Sequence, residues 1–161
     1  MSNSVRYRYG DTNPVAVPLD VGTAFNIGDM MFTDSADSYK AKPAGSYVWD
    51  TDLATTQTSF ALVFLGVSSQ YYDGTTLAIG IKDSLVRVNT EGVYDFDCAS
   101  STFVAGELVG PAKQSGDLLE PQKVVSVATE ALAIGRVVKA ETSAVTTVRV
   151  RVFGKRMLVS A

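Results

Sequence analysis

Apolar and polar residues change places at every second position over several short stretches, and this period limits the chain more than any other feature. Over residues 145–153, Val148, Val150 and Val152 fall on one side and Arg149 and Arg151 on the other. That is the pattern of a strand with one buried face. Tyr94, Phe96 and Cys98 alternate with Asp95 and Asp97 in the same way, and Val5, Tyr7 and Tyr9 with Arg6 and Arg8. Further short apolar runs at 30–32, 62–67, 85–88, 108–109, 124–127 and 136–138 are separated by turns rich in glycine, asparagine and aspartate. A helix is predicted only after Trp49, where Phe60 and Phe64 lie four apart and Asp52, Thr55 or Thr56 stands in capping position. Many short strands and at most one short helix predict an all-β fold, a small barrel or sandwich. Residues 85–88 and 93–98, with Thr90, Glu91 and Gly92 between them, read as a hairpin.

The first 20 residues differ from the rest. Gly10, Asp11, Thr12, Asn13 and Pro14 break the opening strand, and Pro14 and Pro18 bracket Val15, Ala16 and Val17. Proline donates no ladder hydrogen bond, so this stretch is confined to an edge strand or an extended arm. Residues 1–20 are taken as an extended N-terminal arm and 21–161 as a single β domain. Elsewhere one local pattern returns three times, at Ile27-Gly28-Asp29-Met30-Met31, Ala105-Gly106-Glu107-Leu108-Val109 and Ile134-Gly135-Arg136-Val137-Val138. Each reads as a glycine turn feeding a strand. Residues 77–80 and 132–135 both spell Leu-Ala-Ile-Gly.

The chain has no histidine and a single cysteine, Cys98. Imidazole-dependent triads, histidine metal sites and intrachain disulfides are excluded together. No Gly-Lys-Ser or Gly-Lys-Thr loop exists for a phosphate. Position twelve counted from Asp34 is Gly45, where a calcium loop requires glutamate. Asp95 and Asp97 read as the solvated face of an amphipathic strand, and Cys98 as a buried small hydrophobe. No cofactor, metal or catalytic residue is expected, and the chain is read as a non-enzyme. A net charge of -3 gives no basis for a nucleic-acid partner. The apolar run at 60–67 is far shorter than the roughly 20 residues of a spanning helix, so neither membrane insertion nor a cleaved leader is expected.

Charge is distributed unevenly. Residues 1–8 sum to +2, residues 9–112 to -9 with four basic and thirteen acidic side chains, and residues 113–161 to +4 with eight and four. Such polarity suits docking on copies of the chain or on a charged partner. Arg6, Tyr7, Arg8 and Tyr9 are of the types most enriched at interface hot spots, and read equally well as an ordinary edge strand. Tyr47, Trp49, Tyr71 and Tyr72 leave a second function open, a carbohydrate- or receptor-binding β module of head-fibre type.

Six stretches together resemble a family of phage capsid cement, or decoration, proteins: 6–14 (RYRYGDTNP), 49–57 (WDTDLATTQ), 64–67 (FLGV), 92–100 (GVYDFDCAS), 106–116 (GELVGPAKQSG) and 132–139 (LAIGRVVK). They are turn-and-strand signatures rather than chemical motifs. The resemblance implies a compact, β-tulip-like domain, a homotrimer made in the host cytoplasm and carried on the capsid exterior of the virion, bridging neighbouring major capsid protein subunits. On that reading the arm residues Arg6, Tyr7, Arg8, Tyr9, Asp11, Asn13 and Pro14 contact the capsid.

Overall fold

A computed structural model describes residues 5–75 and 85–154. The fold is all-β with one α-helix. In chain order the elements are β1 (Arg6–Tyr9), β2 (Pro14–Pro18), β3 (Met30–Asp34), β4 (Lys40–Pro43), α1 (Leu53–Val63), β5 (Phe64–Ser68), β6 (Leu85–Asn89), β7 (Glu91–Phe103), β8 (Leu108–Gln114), β9 (Leu118–Ser126), β10 (Gly135–Val137) and β11 (Glu141–Phe153). Short 3-10 turns stand at Ser35–Asp37, Ala44–Ser46 and Glu130–Leu132. Among the described residues no helix is long and apolar enough to cross a membrane.

The strands form two sheets. In the first the order is β1-β7-β11-β10-β8-β9, and β9 returns to β7 through the parallel pairs Asp97↔Lys123 and Cys98↔Val124. That closes β7, β11, β10, β8 and β9 into a five-stranded barrel, with β1 added outside on β7. The second sheet is antiparallel in the order β2-β6-β5-β3-β4, and a single bridge, Leu19↔Ala41, joins its two ends.

Two hydrophobic cores result, and they share walls. The barrel core contains Tyr94, Phe96, Val109, Leu119, Val148 and Val150. Phe60 of α1 closes it, with ring centroids 5.9 Å from Phe32, 5.4 Å from Tyr47 and 5.9 Å from Phe64. The second core holds Leu19, Phe25, Met31, Leu65, Tyr72 and Val86. Met30 and Phe32 of β3 face the barrel while Met31 between them faces the second core, and in β5 Phe64 and Val67 are divided from Leu65 in the same way. This explains why both strands read as unbroken apolar runs.

Asp52 caps α1 by accepting a hydrogen bond from the Thr55 amide at 2.8 Å. Thr56, Gln57, Phe60 and Ala61 form its buried face. The helix runs to Val63, so only Phe64–Ser68 of the stretch read as a strand from residue 62 is extended.

Three further expectations change. The hairpin over 85–98 does not form: β6 pairs with β2 and β5, whereas β7 pairs with β1, β11 and β9. Residues 89–91 instead carry the chain from one sheet to the other. Gly66 and Gly154 make this corner possible, because a Cβ on Gly66 would lie 2.0 Å from the Asn89 carbonyl oxygen and one on Gly154 2.1 Å from that of Leu65. The N-terminal segment is not a free arm. β1 pairs with β7 and β2 with β6, because Val5 and Leu19 have buried places to fill and Arg8 has a carboxylate to meet. Of the three repeated glycines, Gly28 and Gly106 take positive φ in turns, while Gly135 lies within β10, where a Cβ would meet the Arg151 carbonyl at 2.4 Å. The copy of Leu-Ala-Ile-Gly at 77–80 lies outside the described residues.

Candidate functional site

All four residues of β1 are exposed. The strand pairs antiparallel with β7 in the register Arg6↔Asp95, Tyr7↔Tyr94 and Tyr9↔Val93, with an irregularity at Arg8. The shift turns Tyr9 to the outside, next to Val93 and so in line with Arg151 of β11. Tyr7 lays its ring edge-on to Tyr94 at 5.7 Å and donates its hydroxyl to the Gly10 carbonyl at 2.8 Å.

Asp95, 7% exposed, anchors this edge. Arg8 Nε donates to its Oδ2 at 2.5 Å and Arg149 Nε to its Oδ1 at 2.9 Å. Burial pushes the Asp95 carboxyl up, but the hydrogen bonds from Arg149 and Arg8 together outweigh it, and the group titrates below the usual carboxylate range. The expectation of a solvated Asp95 is therefore corrected: two strands bring arginines to it from either side. Asp97, one register step away, is half-buried.

Direct cross-strand pairs put Arg6, Asp95 and Arg149 in one outward row and Tyr9, Val93, Arg151 and Arg136 in the next. Arg136 and Arg151 stand directly opposite each other, an arrangement that repels unless each finds compensation. Arg136 pairs with Glu130 and donates to the Gly106 carbonyl at 3.0 Å, and the Arg151 guanidinium lies 5.2 Å from the Phe153 ring. Among the described residues no carboxylate forms an ion pair with Arg6 or Arg151.

The bend after β1 borders a cleft lined by Tyr9, Gly10, Asp11, Glu91 and Arg151. Asn13, in a left-handed conformation at φ +40°, donates from Nδ2 to Glu91 at 2.9 Å and accepts from the Thr90 hydroxyl through its carbonyl at 2.8 Å. Pro14 opens β2 opposite Asn89. The segment 6–14 thus wraps the sheet-to-sheet corner, and its seven singled-out residues occupy one continuous rim. Arg149, Arg151, Arg136 and Glu91 belong to the same surface and were not picked out as site residues. The Val/Arg alternation marks their face, but only the pairing of β11 between β7 and β10 brings them beside β1.

The four aromatic residues are split. Tyr72 is buried in the second core against Phe25 and Tyr71 is exposed, whereas Tyr47 and Trp49 share a cleft with Asp34 and Asp50. Cys98 is buried with Sγ 3.5 Å from the Val145 carbonyl, and burial pushes its thiol up. Asp34 and Asp37 are held by Lys40 and Lys42. Among the described residues no group of three or more acidic, cysteine or histidine side chains is placed to hold a metal. No protein-family model and no curated protein matches the sequence.

Proposed function

We propose that this chain is a structural protein of a phage-type virion that binds the capsid exterior and cements neighbouring major capsid protein subunits. One observation carries the proposal, the contrast between β1 and the other sheet edges. The barrel strands close on themselves, β2 is bracketed by Pro14 and Pro18, and β4 combines Lys40, Lys42 and Pro43. Those are the usual protections against edge-to-edge association. β1 lacks closure and proline, and the charges it carries are the arginines Arg6 and Arg8 of a short strand with one irregularity. It offers an unpaired edge among the described residues, rimmed by arginine and tyrosine. Such an edge suits strand addition, in which the partner's backbone supplies affinity and alternate side chains supply register.

In this reading the barrel is a rigid spacer and β1 is a docking edge rather than a loose arm. Assembly as a homotrimer would present three such edges, and avidity would then exceed the affinity of any one contact. A standard interface of about 800 Å² per partner needs more than β1 alone. The outward arginine rows beside it extend the surface, and they favour an acidic partner face.

The test uses purified capsids lacking the protein. Wild-type chain should add mass to them in a saturable way, and Arg6→Glu/Arg151→Glu should bind at least tenfold more weakly while remaining folded, since among the described residues neither side chain forms an ion pair. Equal occupancy by the double variant would remove the β1 surface from consideration. Absence of binding by the wild type to the capsids of its own virus would end the capsid reading.

A further inference from the structure

We infer that the cleft between β3 and the connection from β4 to α1 is a binding site for a neutral saccharide. This inference stands apart from the capsid reading and uses none of the β1 surface. The cleft has a volume of about 460 Å³, within the range of small-ligand sites. Its aromatic wall is Tyr47 and the half-buried Trp49. Tyr47 is fixed from behind by edge-on contacts to Phe32 at 4.9 Å and Phe60 at 5.4 Å, so the wall is preformed. Val48 projects at the rim, 83% exposed.

Polar groups of both kinds surround this wall. Ser59 and Tyr47 contribute hydroxyls, and that of Ser46, which already donates to the Pro43 carbonyl at 2.8 Å, is left as an acceptor. Asp34, which accepts from the Ala36 amide and Lys42, and Asp50, whose Oδ1 accepts from Thr51, keep further lone pairs as carboxylate acceptors. Burial pushes the Tyr47 phenol up, offset in part by the neighbouring Ser59 hydroxyl. A pyranose ring has the matching form, an apolar C–H face to lie on an aromatic ring and hydroxyls around its edge that need donors and acceptors at once.

Charge selects against the other ligand classes. Lys113 of the same chain already lies 4.7 Å from the Trp49 ring centroid and is itself tied to Asp117 at 2.8 Å, so an organic cation finds one face of that ring taken, and a sugar must lie on the other face or on Tyr47. Lys42, 2.8 Å from Asp34, neutralises one of the two carboxylates. An anion would meet the Asp50 carboxylate at the mouth with no unpaired cation beside it among the lining residues. A neutral polyhydroxylated ligand is what remains.

Trp49 is the only tryptophan of the chain, so its fluorescence reports on this cleft alone. The full-length protein is titrated with neutral hexoses, N-acetylhexosamines and short oligosaccharides of both, with choline and glucuronate as charged controls. A saturable intensity change or blue shift with at least one neutral sugar, and none with the controls, is the expected result. Asp50→Ala keeps the reporter and removes an exposed acceptor; it should weaken that sugar about tenfold or more, with circular dichroism confirming the fold. No saturable response to any neutral sugar up to 100 mM would overturn the inference. So would saturation by choline or glucuronate instead, or an Asp50→Ala variant that is folded and binds the sugar as tightly as wild type.

Discussion

Replacing Gly66 with alanine tests the corner by which the chain passes between its sheets. A Cβ at this position would sit 2.0 Å from the Asn89 carbonyl oxygen, 2.8 Å from the carbonyl carbon and 2.9 Å from Thr90 Cα. All three contacts are with backbone, so no side chain can rotate away, and β5 or the 89–91 corner must move. Forcing atoms into a packed interior costs about 1–3 kcal/mol. The φ of +155° at Gly66 is also one that residues with a Cβ rarely adopt, which adds about 1–2 kcal/mol. Together these predict a loss of about 2–5 kcal/mol, or roughly 6–15 °C in Tm for a chain of this size. The control is Gly116→Ala, where φ is +84° and nothing lies within 4 Å of the added atom. It isolates the conformational cost, about 1 kcal/mol or roughly 3 °C. Thermal unfolding followed in parallel by far-ultraviolet circular dichroism and Trp49 fluorescence measures both. If the Gly66 variant melts within a degree or two of the Gly116 variant, the backbone approach at Asn89 does not constrain the fold and the corner has been misread.

Three further outcomes are expected. Tyr72→Phe should raise stability by about 1 kcal/mol in urea unfolding, because the buried Tyr72 hydroxyl has no hydrogen-bond partner among the described residues while its ring packs on Phe25; a destabilised variant would mean the hydroxyl is in use. Asp95 titrates low in the folded state, so the stability it contributes is complete above its unfolded pKa of about 3.9 and is lost as pH falls through the folded value. Urea midpoints between pH 2.5 and 7 should therefore converge for wild type and Asp95→Asn at the acid end, and parallel curves would refute the ion pairs with Arg8 and Arg149. Asp29 gives the opposite slope. It is 2% exposed, and burial raises its pKa against hydrogen bonds from the Asn26 amide and Gln122. Its charged form is disfavoured by folding, so stability drains away as pH rises from the unfolded pKa through the folded one, and Asp29→Asn should abolish that decline.

The sequence made some levels of this structure legible and left others hidden. Period-two alternation locates β7 and β11 and assigns their faces correctly, with Tyr94, Phe96, Val148 and Val150 all in the barrel core. It carries no information on which strand lies beside which. The supposed hairpin at 85–98 failed for that reason: Thr90, Glu91 and Gly92 have turn chemistry, yet they turn the chain between sheets rather than back on itself. β9 is legible only from Val124 onward, with Pro121 inside its hidden part, and β8 only at Leu108 and Val109, short of Pro111. Prolines usually exclude a segment from a ladder. Here the register shifts just past Pro111, whose carbonyl is satisfied by Gln57 Nε2 at 2.8 Å. For the candidate site, residues 6–14 could be named from composition alone. Their partners Asp95, Arg149 and Arg151 are more than 80 residues away, and only β1 pairing on β7 brings them together.

β3 and β5 each send neighbouring side chains into different cores, so they act as a party wall between two rooms of one building. Neither room stands without it, and the wall has no finished side until both are furnished. The molecule should therefore unfold in a single event, with no stage at which the barrel survives while the second sheet has come apart. Were the chain to tie neighbouring subunits together as proposed, such indivisibility would mean that a pull entering at β1 meets the resistance of the whole chain.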